Sequence, residues 1–246
     1  MATIDVQEPG PPSAAAAAAA ESKHVRVRTT LPTQPLPPNS ARAPIRTPRL
    51  ILRAFVPSDL EGVHTLRSQP EVMVFTSVGR VDRDRAETRE FMDRFLPPND
   101  SHTYDFVICL AETGEIIGTG GMHKVNFEFG WPEVGYMFKR ECWGRGFATE
   151  FLRAWLEAWW ALPRSVVDVN VDTASIGRDG SGDSGVVEEV PELVSAMVEE
   201  NNPNSAKVLK KLGFREFKTW STHDEREGYE EQAVTLIGLV LRSPGR

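Results

Sequence analysis

The chain has 246 residues, 40% hydrophobic and 26% charged, a composition that fits one large or two small soluble globular domains. It contains no run of about 18 apolar residues, so no membrane-spanning helix is predicted, and Ala14–Ala20 is too short and too weakly hydrophobic for a secretory signal. A net charge of −7 argues against nucleic acid as the main partner, and two cysteines, Cys109 and Cys142, fit a reducing compartment better than a disulfide framework.

Residues 1–48 carry five basic and three acidic side chains, so the excess of acid lies further on. Asp5 and Glu8 speak against a mitochondrial presequence. The cytosol is the expected compartment, the nucleus second and organelle import last. Residues 1–44 hold an alanine run, many prolines and few large apolar groups, and are expected to form a disordered tail. The folded domain is expected over 45–246.

Arg49-Leu-Ile-Leu-Arg53 reads as a strand, followed by a helix from Pro57-Ser-Asp59 to about Ser68. A second helix is predicted over about Asp84–Phe95, ending before Pro97-Pro98. Thr103–Ala111 and Glu115–His123 alternate as two strands around a turn at Thr113-Gly114, and Val134–Phe138 is a third. An amphipathic helix over about Ala148–Ala161 follows, with Phe151, Leu152, Trp155, Leu156 and Trp159 on one face. Val166–Val171 and Leu193–Val198 are strand-like. Between them, Asp172–Glu192 has six carboxylates against Arg178 and reads as a mobile acidic insertion. Pro203–Leu212 is a short helix closed by Gly213, and Phe214–Trp220 and Ala233–Leu241 complete the strands.

The most informative stretch is Glu141-Cys-Trp-Gly144-Arg-Gly146-Phe-Ala-Thr-Glu150, lying between a strand and a helix. Such a junction offers backbone N–H groups and the positive end of a helix dipole to phosphate. Gly144 and Gly146 let the backbone approach a pyrophosphate closely.

The order of elements around this turn resembles the GCN5-related N-acetyltransferase (GNAT) superfamily, and within it the ribosomal-protein N-acetyltransferase branch. The matching motifs are Thr47-Pro-Arg-Leu-Ile-Leu-Arg53, Val134-Gly-Tyr136, Trp143-Gly-Arg-Gly-Phe-Ala-Thr-Glu150, and Asn202-Pro-Asn-Ser205 with Lys211-Leu-Gly-Phe214. The resemblance implies an α/β (α+β) fold. Its mixed, mostly antiparallel sheet of about seven strands would be splayed between the fourth and fifth. It further implies acetyl-CoA as co-substrate, no metal, and an amine acceptor, either a peptide N-terminus or a small molecule. Transfer would be direct, in a ternary complex formed by a monomer or homodimer away from nucleic acid and membrane.

On this resemblance Trp143, Gly144, Arg145, Gly146, Phe147, Ala148 and Thr149 would hold the pyrophosphate. Met137, Phe138 and Lys139 would present backbone to the pantetheine arm, and Asn202 would face the cofactor while capping its helix. Glu133 is the first choice for general base, its bland alternative being an exposed strand-end carboxylate; His123 is the rival. Ser205 is the candidate proton donor to sulfur, because many family members carry a tyrosine where Leu209 stands. Glu141 replaces the usual Gln or Arg. Cys142 lacks the partners of a nucleophile, and the Trp155, Trp159, Trp160 cluster is expected in the core. A catalytically silent acyl-CoA-binding sensor is the alternative function.

Overall fold

A computed structural model describes residues 24–126, 128–178, 187–229 and 232–245. Eight strands form the main sheet: β2 (Ile45–Arg46), β3 (Leu50–Arg53), β4 (Tyr104–Leu110), β5 (Ile116–Asn126), β6 (Trp131–Phe138), β9 (Leu193–Glu199), β10 (Arg215–His223) and β11 (Ala233–Arg242). Their spatial order is β10-β11-β9-β6-β5-β4-β3-β2, and every neighbouring pair is antiparallel except β6 and β9. The expected mixed α/β sheet is therefore present, one strand wider than anticipated.

Period-two alternation gives each face of this sheet its own cover. Val134 and Phe138 of β6, Phe106 and Ile108 of β4, and Val194 and Ala196 of β9 share one core. Helices α4 (Phe147–Ala161) and α5 (Pro203–Lys211) close it. The apolar stripe of α4 supplies Phe151, Leu152, Trp155 and Trp159, all essentially inaccessible, with the two indoles stacked at 5.2 Å. On the opposite face Val107 and Cys109 pack with Phe55, Val63, Met92 and Phe95. Those residues belong to, or flank, α1 (Leu60–Arg67) and α3 (Arg85–Asp93). The four-residue α2 (Pro70–Met73) follows α1.

The structure corrects the reading of residues 24–44. His24–Pro32 is a strand, β1, paired along all nine residues with β7 (Arg164–Asp172), and a short parallel β8 (Glu188–Glu189) completes a second, three-stranded sheet. Its inward residues Val27 and Val171 pack on Phe129, Trp131 and Leu193 of the main body. Leu36 is buried in the main core. Arg42 reaches under Tyr104 and Phe106, donating to the carbonyls of Pro37, Asp100, Thr103 and Asp105. Proline and alanine content concealed a plain alternating run, Val25-Arg-Val27-Arg-Thr29. Residues 1–23 lie outside the described residues.

The acidic insertion is also more ordered than expected where it is described. Asp172 caps a 3-10 turn at Thr173–Ile176 and pairs with Lys218 at 3.2 Å, while Glu192 pairs with Arg164 at 2.8 Å. Both carboxylates are buried, so they serve packing rather than a solvent-facing field. Residues 179–186 lie outside the described residues.

Candidate active site

Strands β6 and β9 touch in register at a single pair, Glu133 with Ser195. Pro132, just before, has no N–H to extend the ladder, and its carbonyl accepts from Ser195 Oγ at 3.2 Å. Beyond Glu133 the two strands part and leave a cleft in the middle of the sheet.

Backbone parity decides which groups face that cleft. The Lys139 N–H bonds the Ile117 carbonyl of β5 at 2.8 Å, so odd-numbered residues of β6 point their backbone toward β5. Even-numbered residues, Tyr136 and Phe138, therefore direct theirs into the opening. The Phe138 carbonyl is taken by the Trp143 indole N–H at 2.7 Å, and the Lys139 carbonyl by Cys142 N–H at 2.9 Å. Met137 and Lys139 thus offer the cleft no backbone group of the expected kind. Tyr136, which the sequence reading passed over, offers both N–H and carbonyl. The period of two within Val134-Gly-Tyr136 sets the parity, but only the sheet topology shows which edge of β6 is open.

The expected phosphate loop closes one end of the cleft. Gly144 and Gly146 adopt left-handed φ values of 71° and 80°, and Gly146 is the N-cap of α4. The first helical hydrogen bond runs from Glu150 N–H to the Gly146 carbonyl, so the N–H groups of Phe147, Ala148 and Thr149 fall outside the helical ladder. A Cβ on Gly144 would meet nothing within 4 Å: the space in front of the loop is open. Gly144, Arg145 and Gly146 are exposed, and the open N–H groups beside them suit a pyrophosphate.

The loop is braced from behind by the Thr47-Pro-Arg49 motif. Thr47 Oγ1 donates to Glu150 at 2.6 Å, Arg49 pairs with the same carboxylate at 2.6 Å, and Arg49 also donates to the Arg145 carbonyl at 2.9 Å. Arg49 and Arg145 lie over the Phe147 ring at 4.6 and 5.0 Å. Phe138 and Phe147 are buried in the core and Trp143 is pinned to Phe138, so their side chains shape the loop from inside. The Lys139 ammonium is tied to Glu115 at 2.8 Å, which leaves Arg145 as the exposed cation of the loop itself. Glu141 turns toward Gln69, which donates to it at 3.0 Å; its own backbone N–H, and then the Gln69 bond, hold its carboxyl below the usual range. The carboxylate is thereby drawn away from the loop.

Across the cleft, Asn202 caps α5 by accepting from the Ser205 N–H at 3.2 Å. Ser205 Oγ lies 3.0 Å from the Tyr136 hydroxyl. Leu209 is fully buried in the core and presents no polar group to the cleft. Cys142 is buried and its thiol is pushed up by desolvation, the opposite of a nucleophile.

Glu133 is buried at the apex, opposite Lys124 of β5. His123, at the bulge between Met122 and Lys124, lies against Gly135 on the same face as Glu133. Desolvation, helped by Lys124 and Arg94, pushes His123 down to about 4. Its imidazole is neutral at pH 7 and a weak base there.

One strand further, Asp105 is buried beside Gly121, and desolvation lifts its carboxyl to about 7 against the pull of Arg42 and Arg94. Its Oδ2 has no hydrogen-bond partner. Because the folded value lies above the unfolded one, its contribution to stability is complete below pH ~4 and is lost as pH rises through ~7. Asp105→Asn is therefore expected to stabilise the protein by roughly 1–3 kcal/mol above pH 7 and to change little near pH 4. His123 acts oppositely, its contribution falling away from pH ~6.5 to ~4. The wild-type stability profile should be flat between these limits and the variant profile should rise with pH, as read by chemical denaturation.

Among the described residues no helix is long and apolar enough to cross a membrane, and no cluster of three metal-ligating side chains occurs. Residues 49–215, more than half of the chain, match the family model for the acetyltransferase (GNAT) domain. The chain is 25% identical over 183 residues to the uncharacterized N-acetyltransferase p20 of Bacillus licheniformis, covering 74% of this chain and 88% of that protein. Its fold is similar to a GNAT-family acetyltransferase from Bacillus anthracis, with a TM-score of 0.56, 19% identity and coverage of 81% and 98% of the two chains. It is equally similar, at TM-score 0.56 and 16% identity over 80% and 96%, to spermidine N-acetyltransferase from Vibrio cholerae, solved with CoA and spermine.

Proposed function

The chain belongs to the GNAT acetyltransferase family, and on that premise we propose that it transfers the acetyl group of acetyl-CoA directly to a primary amine. The observation that carries this reading is the one-pair contact of β6 with β9, which opens the sheet beside the N-terminus of α4. Acetyl-CoA supplies an activated acetyl group as a thioester. The loop 143–149 would hold its pyrophosphate through backbone N–H groups and Arg145, and the free edge of β6 at Tyr136 would hold its pantetheine arm. Asn202 would border the same arm.

Glu133 serves as the general base, removing the proton from the acceptor amine, directly or through water. The Tyr136 N–H, turned into the cleft, is the donor for the developing negative charge on the carbonyl oxygen. No nucleophilic side chain takes part, in keeping with the buried, poorly acidic Cys142. Bringing donor and acceptor into one cleft supplies much of the rate, up to ~7–11 kcal/mol in favourable cases. The acceptor is a peptide N-terminus or a small-molecule amine. The Vibrio cholerae neighbour, named for spermidine, makes polyamines the natural first small molecules to try.

The test is thiol release from acetyl-CoA against a panel of N-terminal peptides, polyamines and amino acids, with CoA binding followed by calorimetry. Release stimulated by one class is the expected result. Binding without stimulation by any amine would favour a silent acyl-CoA sensor, and absence of CoA binding would overturn the reading of the cleft.

A further inference from the structure

We infer that Tyr136 is a positioning residue for the departing sulfur, its phenol donating to Ser205 Oγ so that the Ser205 O–H is free to point into the cleft. The inference rests on the acetyl-transfer reading above and adds a residue to it. Tyr136 stands on the strand that borders the opening, and Ser205 on the first turn of the helix facing it. Both side chains are half-buried, and their oxygens are 3.0 Å apart.

Several contacts fix this pair. The Tyr136 ring lies edge-on to Phe138 and Phe151 at 6.2 and 6.0 Å, and the Ser205 backbone is held by the Asn202 cap. The Tyr136 hydroxyl can also donate to the Ser205 carbonyl, at 3.4 Å, a longer contact than the 3.0 Å to Ser205 Oγ. Each hydroxyl has one hydrogen. The phenol is the stronger donor, so it gives its hydrogen to serine, and serine's own hydrogen is left for a third atom. A donor that is itself accepting a hydrogen bond is polarised and strengthened.

The pair does not work by surrendering a proton. Burial pushes the Tyr136 phenol up to about 12, whereas an ordinary thiol titrates near ~8.5, a difference of more than 10³-fold against full transfer. As the carbon–sulfur bond breaks, the electron pair stays on sulfur, and the Ser205 O–H bonds to the resulting thiolate. The amine's proton has gone to Glu133, and the thiolate takes its proton from water on release. Ser205 is thus a hydrogen-bond donor to sulfur rather than the acid expected from its position.

The experiment is calorimetric binding of CoA and desulfo-CoA at pH 7 and 9.5 to wild type, Tyr136→Phe and Ser205→Ala. For wild type, CoA should gain at least 5-fold over desulfo-CoA as the thiol ionises. Both variants should lose that gain while binding desulfo-CoA like wild type. In thiol-release assays Tyr136→Phe should lower kcat about 10-fold, and the double variant should be no slower than Ser205→Ala alone. Wild-type pH dependence retained in Tyr136→Phe, or multiplicative losses in the double variant, would overturn the inference. CoA binding that never depends on pH would sink it alone, whereas failure to bind CoA would remove the acetyl-transfer reading as well.

Discussion

A chain beginning at Ile45 is expected not to fold, whereas a chain beginning at Glu21 differs from it only by the segment that includes β1 and Arg42. The truncation removes one whole side of the β1–β7 ladder and strips β8 of its neighbour. Val27 and Leu36, both essentially inaccessible, take with them roughly 1.5–3 kcal/mol each. Loss of the Arg42 guanidinium leaves the carbonyls of Asp100, Thr103 and Asp105 without their donor, at about 1–3 kcal/mol for each that stays buried. Together these losses match or exceed the ~5–15 kcal/mol that holds a typical domain together. Circular dichroism and urea titration of the two truncations would show it. A cooperative transition of unchanged midpoint in the shorter chain would mean that the second sheet is an appendage and not part of the fold.

The elements most plainly written in the sequence are those whose evidence is local. The apolar stripe of α4, the alternation of β4 and β5, and the glycines at 144 and 146 each need only a window of about ten residues to be recognised. The second sheet was not legible because its strands pair across more than a hundred residues, His24 with Asp172, and neither sequence names its partner. Composition misled in the same place: prolines at 32, 35, 37 and 38 read as disorder, while the chain uses that stretch to cross the molecule between β1 and the buried Arg42.

The candidate site divides along the same line. Loop residues 144–149 are legible as a motif, and a Cβ on Gly144 would meet only open space. Tyr136 was missed because its importance depends on which edge of β6 is unpaired, a fact of sheet topology. Arg49 and Glu150 were read as parts of two motifs; only in three dimensions do they form the ion pair that holds the loop.

Glu133→Gln is expected to lower kcat by roughly 10²–10³-fold, within the range for loss of a general base, while leaving CoA affinity unchanged. Glutamine keeps the shape of the side chain at the apex, so the single register pair with Ser195 should survive. His123→Gln is the contrast, because a group held near 4 and neutral at pH 7 contributes little as a base. Its kcat should fall less than about 3-fold. The two side chains lie on one face of the sheet, so mere disturbance of that face would affect both variants alike. A large loss in His123→Gln with near-normal activity in Glu133→Gln would exchange their roles. Equal, modest losses in both variants would leave the amine to be deprotonated by water before it binds, and Glu133 would then be a residue that shapes the apex.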